Sequence, residues 1–182
     1  MLKDLKKVMK VCKLATMWDN DIIRKCLSSG DAELDSEFMG FEEICFTVAK
    51  YIPKDFTIVD LGCYMAAQSI VFKDHKKYIG VDCYDMSVIE GYTPPIRFST
   101  ENTEHYSMTI QNFLMSNDMK KLDLNKTYFI MSYVPAHGVT NQVLKQVKHG
   151  LISYCGEHKI KGLNADRIKQ DLENWYSDKS KW

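Results

Sequence analysis

The sequence predicts a doubly wound α/β fold, a mostly parallel sheet with helices on both faces. Short apolar runs rich in β-branched residues, such as "TIVDLG" and "YIGVD", alternate with segments of helical periodicity. The run at 57–62 ends in a glycine turn, Gly62, immediately after Asp60. A second acid, Asp82, closes the next apolar run 22 positions later. Right-handed crossovers turn such an alternation into a sheet wound in both directions from its first strand.

The elements follow in order. Leu2, Leu5, Val8, Met9 and Cys12 recur at helical spacing, with Lys3, Lys6, Lys7, Lys10 and Lys13 between them. Residues 2–18 therefore read as a basic amphipathic helix, either packed on the body with a solvated lysine face or available to a partner. Asp19 or Asn20 caps a short helix through Cys26. The segment 31–43 carries six carboxylates and no Lys or Arg. "FEEICFTVAKYI" reads as an amphipathic helix stopped by Pro53.

"FTIVDLG" is the first strand, "AAQSIVFKDH" a helix and "YIGVDCYD" the second strand. "IRFST", 96–100, set off by Pro94 and Pro95, is the expected third strand. "SMTIQNFLMS" is helical, "KTYFIMSYV" a fourth strand and "TNQVLKQVK" a helix. "LISYC" fits a fifth strand or a continuation of that helix, since periodicity does not separate them. "NADRIKQDLENWYSDK" closes the chain as a helix. The organisation expected is one domain over 1–182: a helical segment at 1–40, the sheet core at 41–155 and the terminal helix at 156–182.

Composition narrows the function classes. The 182 residues carry zero formal net charge and 45% hydrophobic residues, which suits one globular core and gives no overall pull toward nucleic acid. The six cysteines form no C-x-x-C pair, and no histidine pair has metal-ligand spacing, so no metal site is expected. They read as buried free thiols, which points to a reducing cytoplasm. No run has the length and apolarity of a membrane span or a signal peptide.

The stretch "VDLGC", the acid of "GVDCYD" and the helix before the first strand together resemble the class I S-adenosylmethionine-dependent methyltransferases. The resemblance covers roughly residues 41–135. It implies a Rossmann-like fold, truncated here, and S-adenosylmethionine as cofactor. Asp60, Gly62 and Asp82 would hold the cofactor, Asp60 often indirectly by orienting the turn. The chemistry behind the acid is independent of the family: a carboxylate accepts two strong hydrogen bonds from adjacent ribose hydroxyls.

Two departures stand beside the likeness. The pattern D-x-G-x-G-x-G is met by Asp60-Leu61-Gly62-Cys63-Tyr64-Met65-Ala66, with an aromatic at the second glycine. Tyr64 is therefore expected to narrow the pocket mouth or to stack on the ligand. After the fourth strand, Ser132, Tyr133 and His137 are the candidates for the substrate side, with Tyr133 and His137 the candidate catalytic residues, and no amide or carboxylate stands among them. The chain also looks too short for a terminal hairpin after a fifth strand.

Three readings follow. One is a small methyltransferase of unknown substrate. Another is a methyltransferase-like domain without catalysis that binds a macromolecule. Its basic helix 2–18 and acidic segment 31–43 would then be docking surfaces. A phage or mobile-element inhibitor of a bacterial defence nuclease, anti-CRISPR-like, would be one form of this by analogy. The third is an NAD(P) enzyme, and it is disfavoured because G-x-G-x-x-G meets Tyr64 and Ala67.

Overall fold

The computed structural model describes residues 41–63, 66–83, 99–132, 137–154 and 157–177. The expected helices at 2–18 and 19–26, the acidic segment up to residue 40, Tyr64 and Tyr133 lie outside the described residues. The elements are α1 (Phe41–Ala49), β1 (Thr57–Leu61), a 3₁₀ turn (Ala67–Ile70), β2 (Lys77–Asp82) and β3 (Thr103–Ser107). They continue with α2 (Ile110–Met115), α3 (Asn117–Lys120), a 3₁₀ turn (Leu124–Lys126) and β4 (Thr127–Ser132). Then come α4 (His137–Gln146), β5 (His149–Tyr154), β6 (Glu157–Lys161) and α5 (Ala165–Ser177).

One six-stranded sheet has the order β3-β2-β1-β4-β5-β6. Four of its five ladders are parallel, and only β5–β6 is antiparallel. The strand order reverses between β1 and β4, the place where such sheets open a crevice beyond their carboxyl ends.

Alternation along the strands sorts the core into two layers. Ile58, Tyr78, Tyr128, Ile130 and Leu151 face Ile44, Cys45 and Val48 of α1 and Ile168 and Leu172 of α5. Val59, Val81, Phe129, Met131 and Ile152 face Ile110, Phe113, Met119, Val139 and Val143 of α2, α3 and α4. Helices on both faces explain why all five residues of β1 are buried. The short helices are capped from the sequence: the Thr109 hydroxyl accepts from Asn112 N at 3.2 Å and the Ser116 hydroxyl from Met119 N at 3.1 Å.

The structure adds a strand, decides the open assignment after α4 and revises two expectations. The third described strand is Thr103–Ser107, a run given no element above, while residues 96–98 of the expected strand at 96–100 lie outside the described residues. Its alternation is weak because it is an edge strand, half-buried over most of its length. The expected helix at 66–75 shrinks to a four-residue 3₁₀ turn, because only six residues separate it from β2 and Asn102 ties down the Phe72 and His75 carbonyls. The run 149–154 is a strand, pinned on β4 by the Gly150–Phe129 register. A sixth strand, 157–161, follows it directly, so the chain does form a hairpin after the fifth strand, within the span expected to be a closing helix.

Candidate functional site at the carboxyl ends of β1 and β2

Asp60 is the fourth residue of β1, opposite Gly80 of β2 and Ile130 of β4, and only 1% exposed. Its carboxylate accepts a short hydrogen bond from the Tyr78 hydroxyl. Burial, and then the Asp60 charge, push the Tyr78 phenol well above its ordinary range, so it stays a donor at every physiological pH. Asp60 is thus held inside the α1/α5 core layer, one residue short of the strand end. Sequence reasoning missed Tyr78, whose apolar neighbours disguise a polar role.

Gly62 makes the turn with φ +79°. In this left-handed region an L-residue costs about 1–2 kcal/mol, so a glycine is favoured here. Its amide donates to Val81 O at 2.8 Å, and the Cys63 amide donates to the same oxygen at 3.2 Å. Further on, Ala66 N donates to Cys63 O at 2.7 Å and Ser69 N to Ala66 O at 3.0 Å. Four amides after β1 are therefore spent on backbone carbonyls. Ala66 itself sits at φ +55°, so the left-handed geometry persists where the glycine pattern has an alanine.

Asp82 ends β2, half-buried, and its carbonyl accepts from Met108 N at 3.1 Å. The parallel register places it opposite Gly62 and, by period two, on the same sheet face as Asp60 and Gly80. Asp82 and the Gly62 turn are thus brought together at one rim, while Asp60 lies beneath them. Ser132 ends β4 and His137 begins α4, so both stand at the same carboxyl edge.

Gly80 leaves the floor of this rim bare. A Cβ there would stand 2.8 Å from His105 Nδ1 and 2.9 Å from Cys63 Sγ. The His105 ring, whose Nε2 lies 3.1 Å from Ser99 Oγ, therefore fills the space over Gly80. His105 was also missed from sequence, since its strand, Thr103–Ser107, was not recognised there. The glycine inside "YIGVD" is the signal that could have indicated a close neighbour. Cys45 and Cys63 are buried, but Cys83, beside Asp82, is exposed, contrary to the expectation of buried thiols throughout.

The described residues of the rim suit one chemistry better than another. A half-buried carboxylate beside a glycine turn suits a pair of ribose hydroxyls. A diphosphate needs a fan of free amides at the start of a helix. Here four of those amides are occupied and the helix is a 3₁₀ turn. Among the described residues no group of three or more His, Cys, Asp or Glu could hold a metal ion. Nor is any described helix long and apolar enough to cross a membrane.

No family model matches the chain, and no curated protein matches it. Among solved structures it is similar to a cyclopropane-fatty-acyl-phospholipid synthase-like protein from Lactobacillus casei ATCC 334. The identity is 12% and the TM-score 0.41, over 61% of this chain and 47% of that one. The chain thus spans about half the length of that protein.

Proposed function

We propose that the carboxyl edge of β1 and β2 binds a nucleoside-type ligand without a diphosphate, with S-adenosylmethionine as the first candidate. The chain would then be a methyltransferase-like protein of unknown substrate. The observation that carries this is the pairing of the Gly62 turn with Asp82 across the β1–β2 register, beside the strand-order reversal. Asp82 would accept the ribose hydroxyls, and Gly62 would let the backbone approach. Bound there, the cofactor supplies an electrophilic methyl group on its sulfonium, so little is asked of the protein beyond positioning. Ser132, Tyr133 and His137 remain the candidates to face a substrate.

A second reading, a domain that binds a macromolecule without catalysis, is favoured by the retreat of Asp60. That carboxylate is buried beneath the rim and engaged by Tyr78, and the helix after β1 is reduced to four residues. Isothermal titration with S-adenosylmethionine and S-adenosylhomocysteine separates the two. The first reading expects saturable binding that Asp82→Ala weakens about ten- to a hundredfold, the scale of a lost charged hydrogen bond. Tyr64→Gly extends the test: stronger binding in that variant would mean the tyrosine blocks the mouth, and weaker binding would mean it stacks on the ligand. Absence of binding in both proteins would leave the second reading.

A further inference from the structure

The opposite rim of the sheet has a different chemistry. Lys54 precedes β1, Lys76 precedes β2, Lys126 precedes β4, Lys148 precedes β5, Lys161 ends the antiparallel β6, and Lys145 lies in the last turn of α4. All six are exposed. Polar contacts tie three of them to neighbouring elements of this edge. Lys126 pairs with Asp55 at 2.7 Å, Lys148 Nζ donates to Asn125 Oδ1, and Lys161 Nζ donates to Leu144 O at 2.7 Å. The His149 ring lies tilted against Phe56, centroids 5.9 Å apart, and accepts from Leu163 N at 3.0 Å, closing the rim between β1 and β6. Strands about 4.8 Å apart make this a row of roughly 20 Å from β2 to β6.

We propose that this amino-terminal rim of the sheet is a binding surface for the phosphodiester backbone of a nucleic acid. The acids along this edge are Asp55, Asp74, Asp123 and, before β3, Glu101, so six lysines face four carboxylates in a chain whose formal net charge is zero. The rim is thus a local excess that the overall charge conceals. Its field is visible in two histidines. Burial and then Lys54 hold His75 below its ordinary range, and burial and then Lys148 do the same to His149.

A nucleic acid fits better than an acidic protein. Protein interfaces are built on apolar or aromatic anchors and are poor in lysine. Among the described residues the one large apolar side chain that is exposed is Met115, on α2, and no aromatic stands out. Nucleic-acid surfaces are polar and cationic, and lysines suffice where phosphates are contacted without reading bases.

The test uses the full chain and a labelled oligothymidylate, followed by fluorescence anisotropy across a salt series. Binding at low salt with a Kd of about 1–100 µM and a log–log salt slope of about −2 to −3 is expected for three or four phosphates. Replacing Lys126, Lys148 and Lys161 together by Gln should weaken binding at least tenfold and flatten the slope by about two, because each lost phosphate contact removes about 0.7. Arginine at the same three places should retain the binding, and melting curves should show all variants folded.

Three results would overturn the proposal. One is absence of binding at low salt. Another is an unchanged Kd in the Gln variant while Lys6→Glu, Lys7→Glu and Lys10→Glu together abolish binding, which moves the site to the N-terminal segment. The third is competition by polyglutamate as effective as by the oligonucleotide, which makes the rim a surface for acidic proteins.

Discussion

The two rims of one sheet carry opposite designs. At the carboxyl rim, Gly62, Asp82, Cys83 and Ser107 bring small or acidic groups to the strand ends, and no lysine or arginine stands among its described residues. At the amino rim, lysines flank β1, β2, β4, β5 and β6. Parallel strands make such a division possible, since every parallel strand presents the same end to the same side. A function placed at one rim therefore leaves the other free for a second. The comparison also separates rigidity from charge: glycines in left-handed turns mark both rims, but their surroundings differ.

That difference predicts the largest effect. Gly162 follows β6 with φ +80°, and a Cβ on it would overlap the Lys148 carbonyl oxygen and His149 Nδ1. Gly162→Ala meets both backbone strain and a rigid neighbour, so it should cost about 2–4 kcal/mol. Gly62→Ala, at the other rim, meets the dihedral penalty of φ +79°, about 1–2 kcal/mol. Urea denaturation of both variants checks the order, and a more harmful Gly62→Ala would mean that the carboxyl-rim turn is the more tightly packed.

Between the rims, two tyrosines flank Ile58 on the same sheet face, Tyr78 on β2 and Tyr128 on β4. Both are fully buried. Tyr78 serves Asp60, whereas the Tyr128 hydroxyl has no hydrogen-bond partner among the described residues. Tyr78→Phe should therefore cost about 1–3 kcal/mol by withdrawing a donor from a buried carboxylate. Tyr128→Phe should be neutral or slightly stabilising, because it removes a polar group that gains nothing by burial. Equal losses in thermal unfolding would contradict this pairing of roles.

These residues also show what the sequence could and could not convey. β1, β2 and β4 were legible because a strand buried on both faces must be apolar throughout, and the Gly62 and Asp82 positions came with them. β3 was not, because "TEHYS" is an edge strand, half-buried, whose pattern carries little hydrophobic contrast. β6 was missed for the same reason: "EHKIK" pairs with β5 along one side only and reads as polar. The site followed the same logic. An acid at a strand end was visible, but the phenol that engages Asp60 depends on a parallel register that no local pattern specifies. The lysine rim was invisible because its members are spread from residue 54 to residue 161 and meet only through the sheet.

Acid should act on the amino rim through its histidines. Burial depresses both His75 and His149 in the folded state, while the unfolded chain titrates near 6.5. The folded protein then binds fewer protons than the unfolded one around pH 6. Stability is therefore full above about pH 6.5 and falls as pH drops through the folded-state values. His75 is the more buried, with Nε2 3.3 Å from Ile52 O and no partner for Nδ1 among the described residues. His75→Gln should flatten the pH dependence of the melting temperature below about pH 6.5. An unchanged slope would assign the acid sensitivity to other groups.

The smallest effect is expected at the Lys126–Asp55 pair, and it sharpens the contrast between charge and rigidity. Lys126 lowers the Asp55 carboxyl through a hydrogen bond, with Lys76 adding to the effect at longer range. Both partners remain 56% exposed, so water screens the attraction, and holding two side chains in one geometry offsets much of the rest. Lys126→Gln should leave the melting temperature within measurement error at moderate salt, and any small loss at low salt should vanish as salt is added. The rim would then tolerate exchange of its lysines while refusing a single methyl group at Gly162. A marked, salt-independent loss in Lys126→Gln would instead make the lysine row part of the scaffold, and its charges would be explained by folding rather than by a ligand.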